Sequence, residues 1–361
     1  MSEKYYNLNE IKKRGCRYNL IFGERSNGKT YACLKEIIDN YFINKSQGAI
    51  IRRWAEDFKN NNGVQMFVAF VDNKYIEKIS KGKYNNIRYY ARKWYFVYEN
   101  DNKKVVENEP FCFAFALTES EHKKGPNYGN ICTVLFDEFI TRKFYLPDEF
   151  TDFMSVLSTI IRDRENVVIY MCGNTVNKYC PYFNEMGLSK ILEMKKGQID
   201  IYTYGDSGLR VAVQYSDSPT KSKKSDVYFA FNNPRLNMIK QGDWEFNSYP
   251  HLPKKYLPKE ILYVYYIIFD KNILQCNIIQ VDNNLFTYIH RKTTEIDTFN
   301  IRLVYQCEAS SNPLYRVNLL RYNDKMNNKI VWFFQNNRVF YQDNEVGEIV
   351  NNYLKWCRNG G

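Results

Sequence analysis

No Cys-x-x-Cys pair occurs in this chain, and only three histidines accompany its nine cysteines, Cys16, Cys33, Cys112, Cys132, Cys172, Cys180, Cys276, Cys307 and Cys357. An odd number of scattered cysteines, most of them inside apolar stretches such as Ile131-Cys-Thr-Val134, argues against a structural zinc site or a disulfide framework and for reduced, buried thiols in a cytosolic protein. Apolar runs of membrane-spanning length are also missing, so no helical span is expected. The opening Met-Ser-Glu-Lys-Tyr-Tyr has no apolar core of the signal-peptide kind. Internal repeats are absent. Acids are outnumbered: 40 Asp and Glu face 51 Lys and Arg, for a formal charge of +11. Such a balance favours a polyanionic partner, nucleic acid first. Part of the lysine excess follows from a chain crowded with Lys, Asn, Ile, Tyr and Phe, all encoded by A/T-rich codons.

What is present is organised around residues 20–30, Leu-Ile-Phe-Gly-Glu-Arg-Ser-Asn-Gly-Lys-Thr. Gly23, Glu24, Arg25, Ser26, Asn27, Gly28, Lys29 and Thr30 fit the phosphate-loop pattern G-x-x-x-x-G-K-[ST] at every fixed position. Tyr18 to Phe22 reads as a buried strand. Ala32, Leu34, Ile37, Ile38 and Tyr41 recur at helical spacing, so the context is strand, glycine loop, helix. The glycines allow a tight turn and close approach to phosphate oxygens, Lys29 reaches the outer phosphates, and Thr30 offers its hydroxyl to Mg2+. The helix N-terminus adds the positive end of its dipole.

A second apolar run, Ile131 to Phe136, ends in Asp137-Glu138. A buried strand delivering acids at its carboxyl end is the Walker B arrangement. Asp137 is expected to hold the magnesium ion, directly or through water, and Glu138 to polarise the water that attacks the terminal phosphate. Between the two motifs, Ala49 to Ile51 reads as a strand ending in Arg52 and Arg53, which either touch nucleotide or DNA or form a solvated strand end. Residues 58–80 are expected to be helical, and residues 87–116 a hairpin insert followed by a strand. Residues 119–129, with Lys123 and Lys124, read as a basic loop.

Residues 147–164 carry apolar positions at three- and four-residue steps and predict a helix, followed by a strand over 167–172. Asn174 at its end suits a sensor of the terminal phosphate or an Asx-turn closing the strand. Arg162 and Arg164 suit either a finger reaching a neighbouring subunit's nucleotide or a surface cluster with Asp163 and Glu165. Beyond residue 200 a hairpin is expected over 199–215, then a Ser- and Lys-rich loop over 217–226, and a helical stretch over 233–255 broken by prolines. From Ile261 the texture turns to β, with strands over 261–270, 273–281 and 285–290, a further strand pair over 330–334 and 338–341, and a closing helix over 345–357. The division expected is a P-loop domain over 1–212, a linker over 213–257 and a smaller α+β domain over 258–361.

The three sites together resemble the genome-packaging ATPases, or encapsidation proteins, of small protein-primed short-tailed bacteriophages. The likeness rests on the loop at 23–30, on Val134-Leu-Phe-Asp-Glu-Phe-Ile140, and on Ile161-Arg-Asp-Arg-Glu165 followed by Gly173-Asn174 and Pro181-Tyr-Phe183. It covers roughly residues 18–190. It implies an α/β P-loop NTPase of the additional-strand, catalytic-glutamate type, a helical linker, and a C-terminal domain like a ribonuclease-H-type nuclease that has lost its catalytic acids. The activity implied is ATP hydrolysis with Mg2+, driving double-stranded DNA into a preformed capsid. The assembly implied is a homomeric, pentameric ring at the capsid portal (connector), transiently at the procapsid vertex in the host cytoplasm, with a packaging RNA as a conceivable further partner and no membrane. Carried over by position, Arg162 takes the role of an arginine finger acting in trans and Lys124 that of a second trans-acting basic residue. The segment Trp54-Ala-Glu56 departs from the family pattern, which has a lysine nearby. Asp270, Asp282, Asp297 and Asp324 form no evident metal cluster in the sequence, so nuclease activity is not expected. An active packaging terminase, a small-molecule kinase and a nucleotide-binding scaffold are the competing readings.

Overall fold

The chain divides into two compact units, Met1–Glu245 and Phe246–Gly361. The computed structural model describes residues 5–119, 128–141, 145–146, 148–176, 180–188, 190–205, 207–217, 249–252, 255–281, 284–297 and 302–358. Most of the expected linker, the Ser- and Lys-rich loop and the proline-broken helix lie outside the described residues, as do Lys123 and Lys124.

The first unit opens with a short helix, α1 (Asn9–Lys12), and then β1 (Tyr18–Gly23), α2 (Lys29–Asn44) and β2 (Gln47–Arg52). Three short helices follow, α3 (Asn61–Gln65), α4 (Val68–Asp72) and α5 (Tyr75–Ile79). The single helical stretch expected over 58–80 is broken because Asn60 and Lys74 adopt positive φ, 50° and 54°. Next come β3 (Asn86–Tyr90), β4 (Lys93–Asn100), β5 (Lys103–Val106), β6 (Cys112–Ala116) and β7 (Ile131–Asp137). The unit continues with α6 (Glu149–Ile161), β8 (Val168–Asn174), α7 (Pro181–Glu185), β9 (Ile199–Tyr204) and β10 (Leu209–Ser216).

These strands form one sheet in the order β3-β4-β6-β2-β7-β8-β1-β10-β9, with β5 paired to β4. The stretch from β6 to β10 is parallel throughout, and the hairpin strands β3–β5 and β9 are antiparallel additions. Parallel strands are buried on both faces, which is why they read as unbroken apolar runs. Along β1, Leu20 and Phe22 enter one core with Phe153, Leu157 and Ile160 of α6, while Ile21 enters the other with Leu34, Ile37 and Ile38 of α2. The same alternation holds in β7, where Val134 and Phe136 face the first core and Leu135 the second. Sheet register then brings the carboxyl ends together. Gly23 pairs with both Asn174 and Ser216, and Asp137 with Cys172.

The second unit holds a six-stranded sheet of β11 (Ile261–Phe269), β12 (Asn272–Val281), β13 (Asn284–Arg291), β14 (Val304–Gln306), β15 (Tyr315–Val317) and β16 (Val339–Tyr341). Its order is β15-β14-β11-β12-β13-β16. The first three strands in sequence form an antiparallel meander, and the others join it in parallel. Among the described residues two α-helices accompany it, α8 (Lys325–Gln335) and α9 (Asn344–Arg358). Here one expectation fails: residues 330–334 are helical, not a strand paired with 338–341. Asp324 caps the helix, accepting from the backbone N–H of Met326 and Asn327. Asn327, Ile330 and Phe333, three residues apart, form its buried stripe. The carboxylate of Asp324 also binds Arg316 at 2.6 Å. Among the described residues no group of three or more His, Cys, Asp or Glu side chains could hold a metal ion, and no helix is long and apolar enough to cross a membrane.

Candidate nucleotide site

The loop between β1 and α2 needs both its glycines. Gly23 has φ +147°, and a Cβ there would lie 2.5 Å from Ser216 Oγ and 2.7 Å from Ser216 O. Gly28 has φ +96°, and a Cβ would lie 3.1 Å from Tyr5 Cβ. Both conformations disfavour any other residue. Asn27, buried between them, donates to Ser216 Oγ at 3.0 Å, and Ser216 Oγ in turn donates to Phe22 O at 3.0 Å. The loop is therefore tied to the end of β10, a contact the motif pattern does not contain.

Lys29 is buried at the start of α2. Its ammonium donates to the Glu24 carbonyl, to Asn27 Oδ1 at 3.1 Å and to Asn174 Oδ1 at 3.3 Å. Burial pulls its pKa down to about 8, with the Asp137 carboxylate among the groups that oppose the shift. Asn174 thus joins the loop, as the register of β8 against β1 requires. Thr30 Oγ1 donates to Asp137 Oδ1 at 2.8 Å, so the hydroxyl and the carboxylate expected to share a metal ion lie side by side. The loop residues Ser26 to Tyr31 and Asn174 line one cleft of about 520 Å³.

Glu138 follows at once with φ 63° and a side chain 63% exposed. Its backbone carbonyl accepts from Arg53 Nη1 at 3.2 Å. Neither reading of Arg53 holds: it is neither solvated nor aimed at a ligand. Its guanidinium is buried and pairs with Glu149, Nε to Oε2 at 2.6 Å and Nη2 to Oε1 at 2.7 Å. Burial works against the Arg53 charge, and the bonds to Glu149 outweigh it and raise the pKa. Glu149 also accepts from Tyr182 Oη at 2.8 Å and from the Leu146 N–H at 2.8 Å. Arg52, next to it in sequence, points the other way and binds Asp137 Oδ2 at 2.5 Å.

One of the sequence-derived residues, Arg162, is not brought to this edge. Arg162 ends α6 with φ 50° and an exposed side chain, ahead of β8. The length of β8 separates it from Asn174, roughly 20 Å at the usual rise per residue. Lys124 lies outside the described residues. Arg164 is spent on structure, since its guanidinium donates to the carbonyls of Tyr128, Gly129, Ile131 and Ile160.

A sequence model of the podovirus DNA encapsidation protein (Gp16) family matches residues 2–355. The DNA packaging protein of Bacillus phage phi29 is 24% identical over 184 residues, 50% of this chain and 49% of that protein. That of Bacillus phage B103 is 25% identical over 173 residues, 47% and 48% of the two chains. The chain thus spans about half the length of the curated relatives it matches. Among solved structures, the bacteriophage Phi-29 viral genome packaging motor assembly aligns over 99% of each chain with TM-score 0.56 and 18% identity. The Phi-28 gp11 DNA packaging motor aligns over 99% of this chain and 97% of its own, with TM-score 0.51 and 19% identity. At these identities the structural likeness speaks to the fold.

Proposed function

The chain belongs to the podovirus DNA encapsidation protein (Gp16) family, and from that premise we propose that it is the ATPase subunit of a motor that drives double-stranded DNA into a capsid. One observation carries the chemical part: residues from three distant segments meet at one sheet edge, Lys29 bonded to Asn174 and the adjacent Thr30 to Asp137. The donor set fits a magnesium-bound triphosphate. Two glycines open the backbone to phosphate oxygens, Lys29 supplies a buried cation, and Thr30 and Asp137 offer oxygens suited to a hard divalent ion. When bound, that ion neutralises charge on the phosphates. Glu138 accepts a proton from the attacking water, and Asn174 orients the water or the terminal phosphate.

The insertion of β8 between β1 and β7 supports the additional-strand type of P-loop fold. The distance of exposed Arg162 from its own loop supports a role on a neighbour's nucleotide, and hence a ring of subunits with Lys124 as a second trans-acting group. In the second unit, the three-stranded meander flanked by parallel strands supports the ribonuclease-H-type reading. The engagement of Asp324 as a helix cap supports a docking rather than a cutting role, toward DNA or the portal.

ATP hydrolysis measured against protein concentration, with and without double-stranded DNA, tests chemistry, partner and assembly together. The expectation is turnover that rises with DNA and more steeply than linearly with protein. Turnover indifferent to both would overturn the motor reading.

A further inference from the structure

We infer that Tyr5, Tyr31 and Asn73 form a nucleobase subsite beside the phosphate loop, selective for adenine; the inference rests on the phosphate-loop reading above. The cleft that holds Asn27, Gly28, Lys29 and Thr30 is also lined by these three residues and by Ala69. Nothing in phosphate chemistry calls for two tyrosine rings and a free amide. A base does, because it has two apolar faces and a polar edge.

The Tyr31 ring and the start of the Tyr5 side chain are held in place. Tyr31, one residue after Thr30, stacks on the fully buried Phe70 of α4, centroids 4.3 Å apart and planes 9° apart, yet stays 37% exposed. Tyr5 is 56% exposed, and its Cβ sits against Gly28. The next residue anchors it: Tyr6 donates its N–H to Asn27 O at 2.9 Å and its hydroxyl to Gln214 Oε1 at 2.6 Å. The Tyr31 ring and the backbone that carries Tyr5 are thereby fixed relative to the phosphate loop. Stacking on aromatic rings tolerates any base, so the tyrosines supply affinity and not choice.

Choice falls to Asn73. It follows α4 directly, is exposed, and its side-chain amide has no hydrogen-bond partner among the described residues. An amide presents one donor and one acceptor. The adenine edge with its 6-amino group and N7 presents the complement, whereas the same edge of guanine presents two acceptors.

The test is displacement of a fluorescent ATP analogue from the full chain by ATP, GTP and inorganic tripolyphosphate. ATP is expected to compete roughly tenfold or more better than GTP, the discrimination typical of one bidentate amide–base pair. Asn73→Leu and Asn73→Ala, which remove both the donor and the acceptor without adding charge, should each erase most of that ratio while leaving competition by tripolyphosphate unchanged. Tyr31→Ala and Tyr5→Ala should weaken both nucleotides alike. Equal competition by ATP and GTP in the unsubstituted chain, or a ratio unmoved by both Asn73 variants, overturns the base subsite while the phosphate site stands. Failure of tripolyphosphate to compete, or its indifference to Lys29→Ala, overturns the phosphate reading and the base subsite with it.

Discussion

Arg52 and Thr30 between them occupy both oxygens of the Asp137 carboxylate. Arg52 Nη2 donates to Oδ2 at 2.5 Å and Thr30 Oγ1 to Oδ1 at 2.8 Å, around a side chain only 3% exposed. Arg52 Nη1 also stands 4.0 Å from Glu138 Oε2. One arginine therefore spans Asp137 and Glu138, the acids proposed above to hold the metal ion and to activate water. β2 lies directly beside β7 with Ile51 opposite Phe136, so the next residue of each strand meets at the sheet edge.

A divalent ion reaching Asp137 would compete with that guanidinium for the carboxylate. Removing one partner of a buried ion pair costs about 3–5 kcal/mol. Arg52→Ala should lower the melting temperature of the nucleotide-free protein, and Mg2+ with ADP should recover most of the loss. The measurement is the thermal shift on adding Mg·ADP. A shift no larger in Arg52→Ala than in the unsubstituted protein would remove Arg52 from this role.

Arg53 does different work from its neighbour. With Glu149, Tyr182 and the carbonyls of Glu138 and Phe139 it forms a buried polar knot beneath the turn that carries Glu138. Arg53→Met alone and Glu149→Leu alone should each cost about 3–5 kcal/mol in urea unfolding, because each leaves a buried charge unpaired. The double variant should lose clearly less than the sum of the two. Strict additivity would mean that the two side chains are not coupled.

The difference between these arginines was not legible in the sequence. Both sit at a strand end, and alternation along a strand says only that they face opposite sides, not which side holds an acid. The partner of Arg53 is about a hundred residues away and on a helix whose apolar positions drew the eye first. By contrast, the loop at 23–30 and the acids at 137–138 were legible, because each is a local pattern whose geometry is set by the chain that immediately precedes it. Residues 330–334 misled for a related reason. Ile330-Val-Trp-Phe-Phe334 has strand-forming residues throughout, and its helical nature shows only in Asp324 six residues upstream and in Asn327, a polar residue in the buried stripe. Asn327 is held there by Tyr305 Oη and by the carbonyls of Leu319 and Tyr322, contacts no window of sequence displays.

If Glu138 and Arg162 act on the same nucleotide from different subunits, two inactive variants should rescue each other. Glu138→Gln is expected to bind ATP but hydrolyse it about 10²–10⁴-fold more slowly, and Arg162→Ala to be similarly impaired. Mixing them lets an intact Arg162 on one subunit serve an intact Glu138 on the next. Hydrolysis in the mixture should exceed that of either variant at the same total concentration. A mixture no better than the sum of its parts would place Arg162 outside the reaction. Arg164→Ala should fail differently, by destabilising the fold, since its guanidinium ties four backbone carbonyls together.

If the buried Lys29 meets the triphosphate as proposed, nucleotide binding is a proton-linked event. Its pKa in the folded protein is near 8, below the ordinary lysine value of 10.5, because burial disfavours the charged form. The folded state therefore holds fewer protons than the unfolded state between those two values, and stability rises with pH across that window. Below pH 8 the protein carries the full cost of burying the charge. A triphosphate beside the ammonium reverses the preference, since an opposite charge favours the protonated form. Binding near pH 8 should then take up about half a proton, more at pH 9 and almost none at pH 6.5. Titration calorimetry in two buffers of different ionisation enthalpy reads this directly. Over the same range the affinity for ATP should fall as pH rises above 8, because an increasing share of the free protein must first be recharged. Uptake that stays at zero, or that shrinks between pH 7 and pH 9, would mean that Lys29 does not meet the phosphates.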